Sequence, residues 1–224
     1  LRKLYIDNND GIRYINMLPL EPYGRTFGTE RGKAVDRVYI ERFLKLYNED
    51  IKGSVMEIAS PEYTRMFGKE RVKEEIILHV KGWGNTIKGN FETGEGIEND
   101  MADCLICTQT LQYVFNLQET AKNIYKLLKK NGVALITVPG IKSLSIYDDS
   151  NWGEKWSFTK TSMLELFEPL FGIDNISIKT YGNVKVATAY LYGLCAEDLE
   201  TTDFDYDDDM FPFLITVKLI KRGE

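Results

Sequence analysis

Between Ala34 and Asp50 the apolar residues Ile40, Phe43, Leu44 and Tyr47 recur at the i, i+3, i+4, i+7 spacing of a helix with one buried face. The period then changes. SVMEI (54–58) and EEIILHV (74–80) are short β-rich runs, and TIKG (86–89) is a shorter candidate. ADCLICT (102–108) and VALITV (133–138) are unbroken apolar runs, the pattern of strands buried on both faces. Between these two runs, LQETAKNIYKLLKKNG places Leu117, Ala121, Ile124, Leu127 and Leu128 on one helical face, and Gly132 reads as its stop. Further on, SFTKTSMLELFEPLF predicts a helix after a Ser/Thr start and NISIKTYG a strand. VKVATAYLYGLCAEDL predicts another helix, and PFLITVKLI a final strand. The segment IYDDSNWGEKWSF (146–158) shows neither strand alternation nor a helical face and reads as a long loop.

Strands alternating with helices imply right-handed crossovers and a parallel sheet, with ligands held beyond the C-terminal ends of the strands. That rule places a site near Glu57, His79, Thr108 and Pro139. No internal repeat or low-complexity linker divides the chain, so residues 1–224 read as one domain with an irregular lead-in over 1–34. A hydrophobic content of 43% suffices for one sizeable core.

Charge narrows the choice of partner. A formal net charge of −6 leaves no basic field to gather nucleic acid or an anionic membrane surface, so a small or neutral partner is expected. No apolar stretch reaches membrane-spanning length and no secretion signal is recognisable. Cys104 and Cys107, three apart on a predicted strand, face opposite sides and cannot share a metal. With Cys195 they read as small core residues, and a reducing, cytoplasmic setting is expected. The acidic run EDLETTDFDYDDD invites a calcium reading. Counted from Asp203, however, Asp208 falls where a calcium loop needs glycine and Leu214 where it needs its bidentate glutamate. A solvated connection is expected instead.

The stretch VMEIASPEYTRMFG (55–68) has the form of a first strand and its ligand-facing turn, but Ala59 and Ser60 stand where glycine usually allows close backbone approach, and Pro61 removes a donor. Taken with ERGKAVDRVYIERFL, CLICTQTLQYV, LLKKNGVALITVPG and WGEKWSFTKTSMLELF in this order, it resembles the class I S-adenosylmethionine-dependent methyltransferases. The resemblance is strongest to the type 11-like branch found beside glycosyltransferases in polysaccharide clusters. It implies an α/β fold: a Rossmann-like three-layer sandwich with a seven-stranded, mostly parallel sheet whose last strand is antiparallel. The cofactor it implies is S-adenosylmethionine, and the partners a small-molecule or glycan acceptor and a fused or neighbouring glycosyltransferase. In that branch the first loop is already glycine-poor and is followed by the pattern seen here as Tyr63, Thr64, Phe67 and Gly68. The cofactor also lacks a pyrophosphate, which removes the strictest need for glycine.

By the same resemblance, Glu57, Ala59, Ser60 and Tyr63 hold the amino acid part of the cofactor, with Arg31 and Arg37 toward its carboxylate. His79, Val80 and Lys81 occupy the place of the usual ribose acid, which is missing, and Gly89, Asn90 and Phe91 the adenine position. Thr108 and Gln109 lie on the methyl-bearing side, where polar residues following a buried strand call for a hydrogen-bonding partner. Tyr39, Gln112, Tyr113, Tyr147, Trp152 and Trp156 are the candidate acceptor contacts, because aromatic faces interleaved with amides and carboxylates suit a sugar. Asp148 and Asp149 are the candidate general bases. The reading is methyl transfer to an oxygen of a sugar or another small polar acceptor. A noncatalytic methyltransferase-like module is the alternative, supported by the drift at Ala59, Lys81 and Asn90. A nicotinamide oxidoreductase is disfavoured because no G-x-G-x-x-G follows a strand.

Overall fold

The computed structural model describes residues 17–223. Residues 1–16 of the lead-in expected over 1–34 lie outside the described residues; helix α1 (Val35–Leu46) precedes β1 (Gly53–Ile58), β2 (Val72–His79), β3 (Ile87–Lys88) and β4 (Ala102–Thr108). Helix α2 (Leu117–Leu127) leads into β5 (Leu128–Pro139), followed by α3 (Ile146–Trp152), α4 (Lys160–Phe171), β6 (Ile176–Tyr181), α5 (Val184–Leu191) and β7 (Leu214–Ile220). The seven strands form one sheet in the order β3-β2-β1-β4-β5-β7-β6. β1 pairs in parallel with β2 and β4, and β7 runs antiparallel between β5 and β6. This is the expected three-layer architecture with an antiparallel last strand.

Side-chain alternation along the strands builds two cores. On one face Met56, Leu105 and Ile136 pack under α2 and α4, which contribute Ile124, Leu127, Met163 and Phe167. On the other, Val55, Ile106 and Leu135 meet α1 and α5 through Ile40, Phe43, Leu44 and Val186. Cys104 belongs to the second core and Cys107 to the first, as a period of two requires. All three cysteines are buried and unpaired. No helix among the described residues is long and apolar enough to cross a membrane.

Three local readings need correction. Helix α2 ends at Leu127; Leu128 opens β5, and Gly132 lies within that strand rather than stopping a helix. The reversal uses Asn131, held at φ 63°, a left-handed position that Asn tolerates. The helix expected over 184–199 ends at Leu191, because Gly193 adopts φ 67° and Cys195 bridges to Ala34. Residues 146–152, expected to be irregular, form α3. The Ser145 side chain caps it by accepting the Asp148 N–H at 3.2 Å, a local signal that a search for an apolar face overlooks.

The acidic run is spent within the chain. Asp203, Asp205 and Asp207 pair with Lys185, Arg42 and Lys179 at 2.6, 3.2 and 3.1 Å. Asn183 fastens it to α5: its Oδ1 accepts the Val186 N–H at 3.1 Å, and its Nδ2 donates to the carbonyls of Asp203 and Tyr206, both at 2.8 Å. Replacing Asn183 by Ala removes a buried cap and leaves two carbonyls without this donor. The substitution is expected to cost about 2–4 kcal/mol, read as a lowered urea midpoint with an unchanged slope.

Candidate active site

The turn after β1 adopts the glycine conformation without glycine. Ala59 sits at φ 69°, held by its N–H to Leu78 O at 3.0 Å, while Ser60 N–H reaches Ile58 O at 2.9 Å. At the end of β4 Gln109 repeats the device: it adopts φ 46° and donates its N–H to Thr137 O at 2.9 Å. Left-handed backbone costs an L-residue about 1–2 kcal/mol, and such strain persists only where the surroundings impose it. Here both residues border one cavity.

Glu57 explains how the first turn is imposed. Its side chain turns inward and is only 4% exposed. Oε1 accepts the Tyr63 N–H at 3.0 Å and Oε2 the Thr64 N–H at 2.7 Å, which fixes the start of the following helical turn. Burial pushes the carboxyl above its ordinary value, against the pull of Thr64 and Tyr63.

Two concavities meet at this turn. The first, of about 430 Å³, opens over the ends of β1, β2 and β4 and is lined by Ala59, His79, Val80, Gly89, Asn90 and Phe91. Thr108, Gln109, Tyr113, Trp152 and Lys155 complete its far wall. The second, of about 420 Å³, lies toward α1 and is lined by Lys33, Arg37, Glu57, Ser60, Glu62 and Tyr63. Thr108 belongs to both. The first wall is largely apolar and aromatic, the second charged. Lys33 is committed to Glu41 at 2.7 Å, whereas among the described residues the only hydrogen bond of the Arg37 guanidinium goes to Tyr63 Oη at 3.4 Å.

His79 is enclosed by rings: Trp83 at 3.8 Å and Trp152 at 5.7 Å between centroids. Its Nδ1 accepts the Lys81 N–H at 3.1 Å, so the neutral ring keeps its proton on Nε2. Burial, then the Lys81 charge, lowers its pKa. Trp152 lies at the C-terminus of α3, and the segment beyond it is laced to the loop after β4. Lys155 N–H reaches Gln112 O at 2.8 Å, and its Nζ donates to Tyr113 O, also at 2.8 Å. A buried ion pair between Lys142 and Glu154 closes that loop from behind.

Several anticipated site residues lie elsewhere. Lys81 does not line the cavity; its Nζ rests on the Trp152 ring at 4.6 Å. Arg31 is spent on Asp198 at 2.8 Å and Gly193 O at 3.1 Å. Tyr39 is a core residue, fully buried against Tyr181, Phe204 and Phe213, out of reach of any substrate. Its place on the inner face of α1 decides this. Gln112 is buried beneath the cavity, donating to Gln109 Oε1 at 3.3 Å while its own Oε1 has no partner among the described residues. Tyr147 projects outward from α3, 75% exposed, and Trp156 lines a separate groove. Asp149 accepts the Glu154 N–H at 2.8 Å and serves the loop, whereas the Asp148 carboxylate faces the Tyr113 hydroxyl. Burial first, and then Asp148, raise the Tyr113 pKa, so the phenol keeps its proton at neutral pH. Glu92 went unrecognised in the sequence, whereas Glu62 falls within the anticipated Glu57–Tyr63 stretch and Lys155 within the anticipated 146–158 loop. For Glu92, its place one residue past Gly89–Phe91 was the signal that could have found it.

The likeness to solved structures agrees with this geometry. An S-adenosylmethionine-dependent methyltransferase of Archaeoglobus fulgidus superposes with a TM-score of 0.54 at 16% identity, over 83% of this chain and 94% of that one. The N-methyltransferase NodS of Bradyrhizobium japonicum WM9, solved with S-adenosylhomocysteine, gives 0.52 at 10% identity, over 86% and 90%. No family model and no curated protein matches the sequence, so the likeness is one of fold. The chain has the fold of the class I S-adenosylmethionine-dependent methyltransferases.

Two outcomes follow from the strained turn and the enclosed imidazole. Ala59→Gly relieves left-handed strain and is expected to raise stability by about 1 kcal/mol in urea denaturation, where Ala-to-Gly changes elsewhere usually lower it. A lowered midpoint would show that the turn is not strained. For His79 the folded pKa lies below the unfolded value, which is about 6.5. Its stabilising contribution is therefore complete above that pH and is lost as pH falls toward the folded value. Thermal melts from pH 7.5 to 5 should decline in the parent and decline less in His79→Gln.

Proposed function

We propose that this chain is an S-adenosylmethionine-dependent methyltransferase acting on a hydroxyl of a sugar or a similar polar acceptor. The observation that carries the reading is the pair of concavities joined at Thr108 across the Ala59–Ser60 turn, one suited to a nucleoside and the other to a zwitterionic amino acid. Phe91 offers a face for a base and Asn90 an amide, while His79 Nε2–H and Glu92 are the groups suited to ribose hydroxyls. Arg37 suits a carboxylate and Glu62 an ammonium group. When bound, the cofactor supplies a methyl group on a positively charged sulfur.

The contribution of the protein is then mostly positional, since aligning an acceptor with its electrophile is worth up to roughly 7–11 kcal/mol. Trp152 and Tyr113 form the wall against which an acceptor is oriented. A hydroxyl must also lose its proton. Asp148 is the carboxylate disposed for it, reached through the Tyr113 hydroxyl that faces it. Asp149, committed to the loop, takes no part. The glycan reading rests on this aromatic and carboxylate wall and on the resemblance to a branch associated with glycosyltransferases.

Calorimetry with S-adenosylhomocysteine tests the cofactor assignment. Binding is expected, and Arg37→Met should weaken it roughly 10- to 100-fold, the loss of one charge-assisted hydrogen bond. Absence of heat at millimolar ligand would end the enzyme reading. Binding without turnover on any polar acceptor would favour the noncatalytic module.

A further inference from the structure

Next to the first cavity lies a groove of about 670 Å³ that methyl transfer leaves unused. It runs between the start of α2 and α4. The two concavities share a wall: Tyr113 and Val114 face the cavity, while the next residue, Phe115, faces the groove; Lys155 lines one and Trp156 the other.

The groove floor is aromatic and unusually open. Phe115 is 67% exposed, and its ring lies 6.0 Å from that of Trp156, tilted by 31°. The Trp156 Nε1–H is already spent on Val114 O at 2.7 Å, which fixes the indole so that it presents a face rather than a donor. Leu166 and Leu170 extend the apolar floor. On the rim, Gln118 and Glu165 have no partner among the described residues. Unspent amide and carboxylate groups around a pair of aromatic faces match a saccharide ring, which offers apolar C–H faces and hydroxyl donors together. The wall that the groove shares with the first cavity, Tyr113 to Phe115 and Lys155 to Trp156, makes it a continuation of the acceptor side and favours more of the same polar ligand over a separate protein segment.

We propose that this groove binds a sugar unit adjacent to the one placed for methylation, so that the acceptor is an oligosaccharide of at least two units. The role of the neighbouring cavity rests on the methyl-transfer reading, whereas saccharide binding in the groove can be measured without it.

The test uses the full chain on an immobilised array of neutral and acidic oligosaccharides without cofactor, followed by calorimetry with the strongest binder. At least one oligosaccharide should bind. Phe115→Ala, a change at an exposed side chain, should weaken that binding about fivefold to tenfold, and the double variant Gln118→Ala, Glu165→Ala by a similar factor. Affinity for S-adenosylhomocysteine should stay unchanged in both. Failure of every oligosaccharide to bind overturns the proposal, as does binding that neither variant weakens. Self-association or peptide binding that Phe115→Ala abolishes, in the absence of saccharide binding, also overturns it. If S-adenosylhomocysteine fails to bind the parent while Phe115→Ala still weakens saccharide binding, the methyl-transfer reading falls and the groove assignment stands.

Discussion

The buried carboxylate of Glu57 is the constraint on which the site depends. Strand β1 lies inside the sheet, flanked by β2 and β4, and the chain must turn sharply at its end to expose a ligand-facing loop. Glu57 fixes that turn by accepting the Tyr63 and Thr64 amides, so Ala59 to Glu62 are spanned between two anchored points. The span is the partition between the two concavities. A carboxylate held by two amides in a buried position is strongly directional, and it explains how Ala59 can be kept left-handed without glycine.

This changes the meaning of the missing glycines. Their absence from the sequence suggests a loop that has lost its purpose, yet the backbone keeps the conformation that glycine would ease. Ala59 and Gln109 keep left-handed backbone where both border one cavity, each held by its N–H to a neighbouring strand, at Leu78 O and Thr137 O.

Much of the architecture was legible because it follows from periodicity. Unbroken apolar runs marked β4 and β5, the 3.6-residue repeat marked α1 and α2, and a Ser/Thr start marked α4. The edges of elements were less legible. Leu128 continues the helical pattern of α2 but pairs in the sheet, and only tertiary contact decides between the two. Strand-end positions located the cavity-lining residues His79, Asn90 and Thr108, since side chains at the ends of parallel strands must converge. Side-chain direction was not legible: Tyr39 and Arg37 are two residues apart on one helix, one pointing into the core and the other lining a concavity. The same applies to Trp152 and Trp156, one turn apart in sequence, which a shared loop would have placed together and which the wall formed by Tyr113 to Phe115 separates.

The distribution of charge completes the argument. Two of the more enclosed cations have carboxylate partners: Lys142 meets Glu154, and Lys218 meets Asp50 at 2.6 Å. Most remaining ion pairs are exposed and worth little. Arg37, half-buried beside the turn that Glu57 fixes, has a phenol at 3.4 Å as its only hydrogen-bond partner among the described residues. Burial disfavours its charge, but the Asp36 carboxylate, then Tyr63 and Glu62, outweigh that effect and hold its pKa above the ordinary value. With one long hydrogen bond to Tyr63, the guanidinium at the mouth of this concavity keeps donors to offer a ligand that carries a carboxylate.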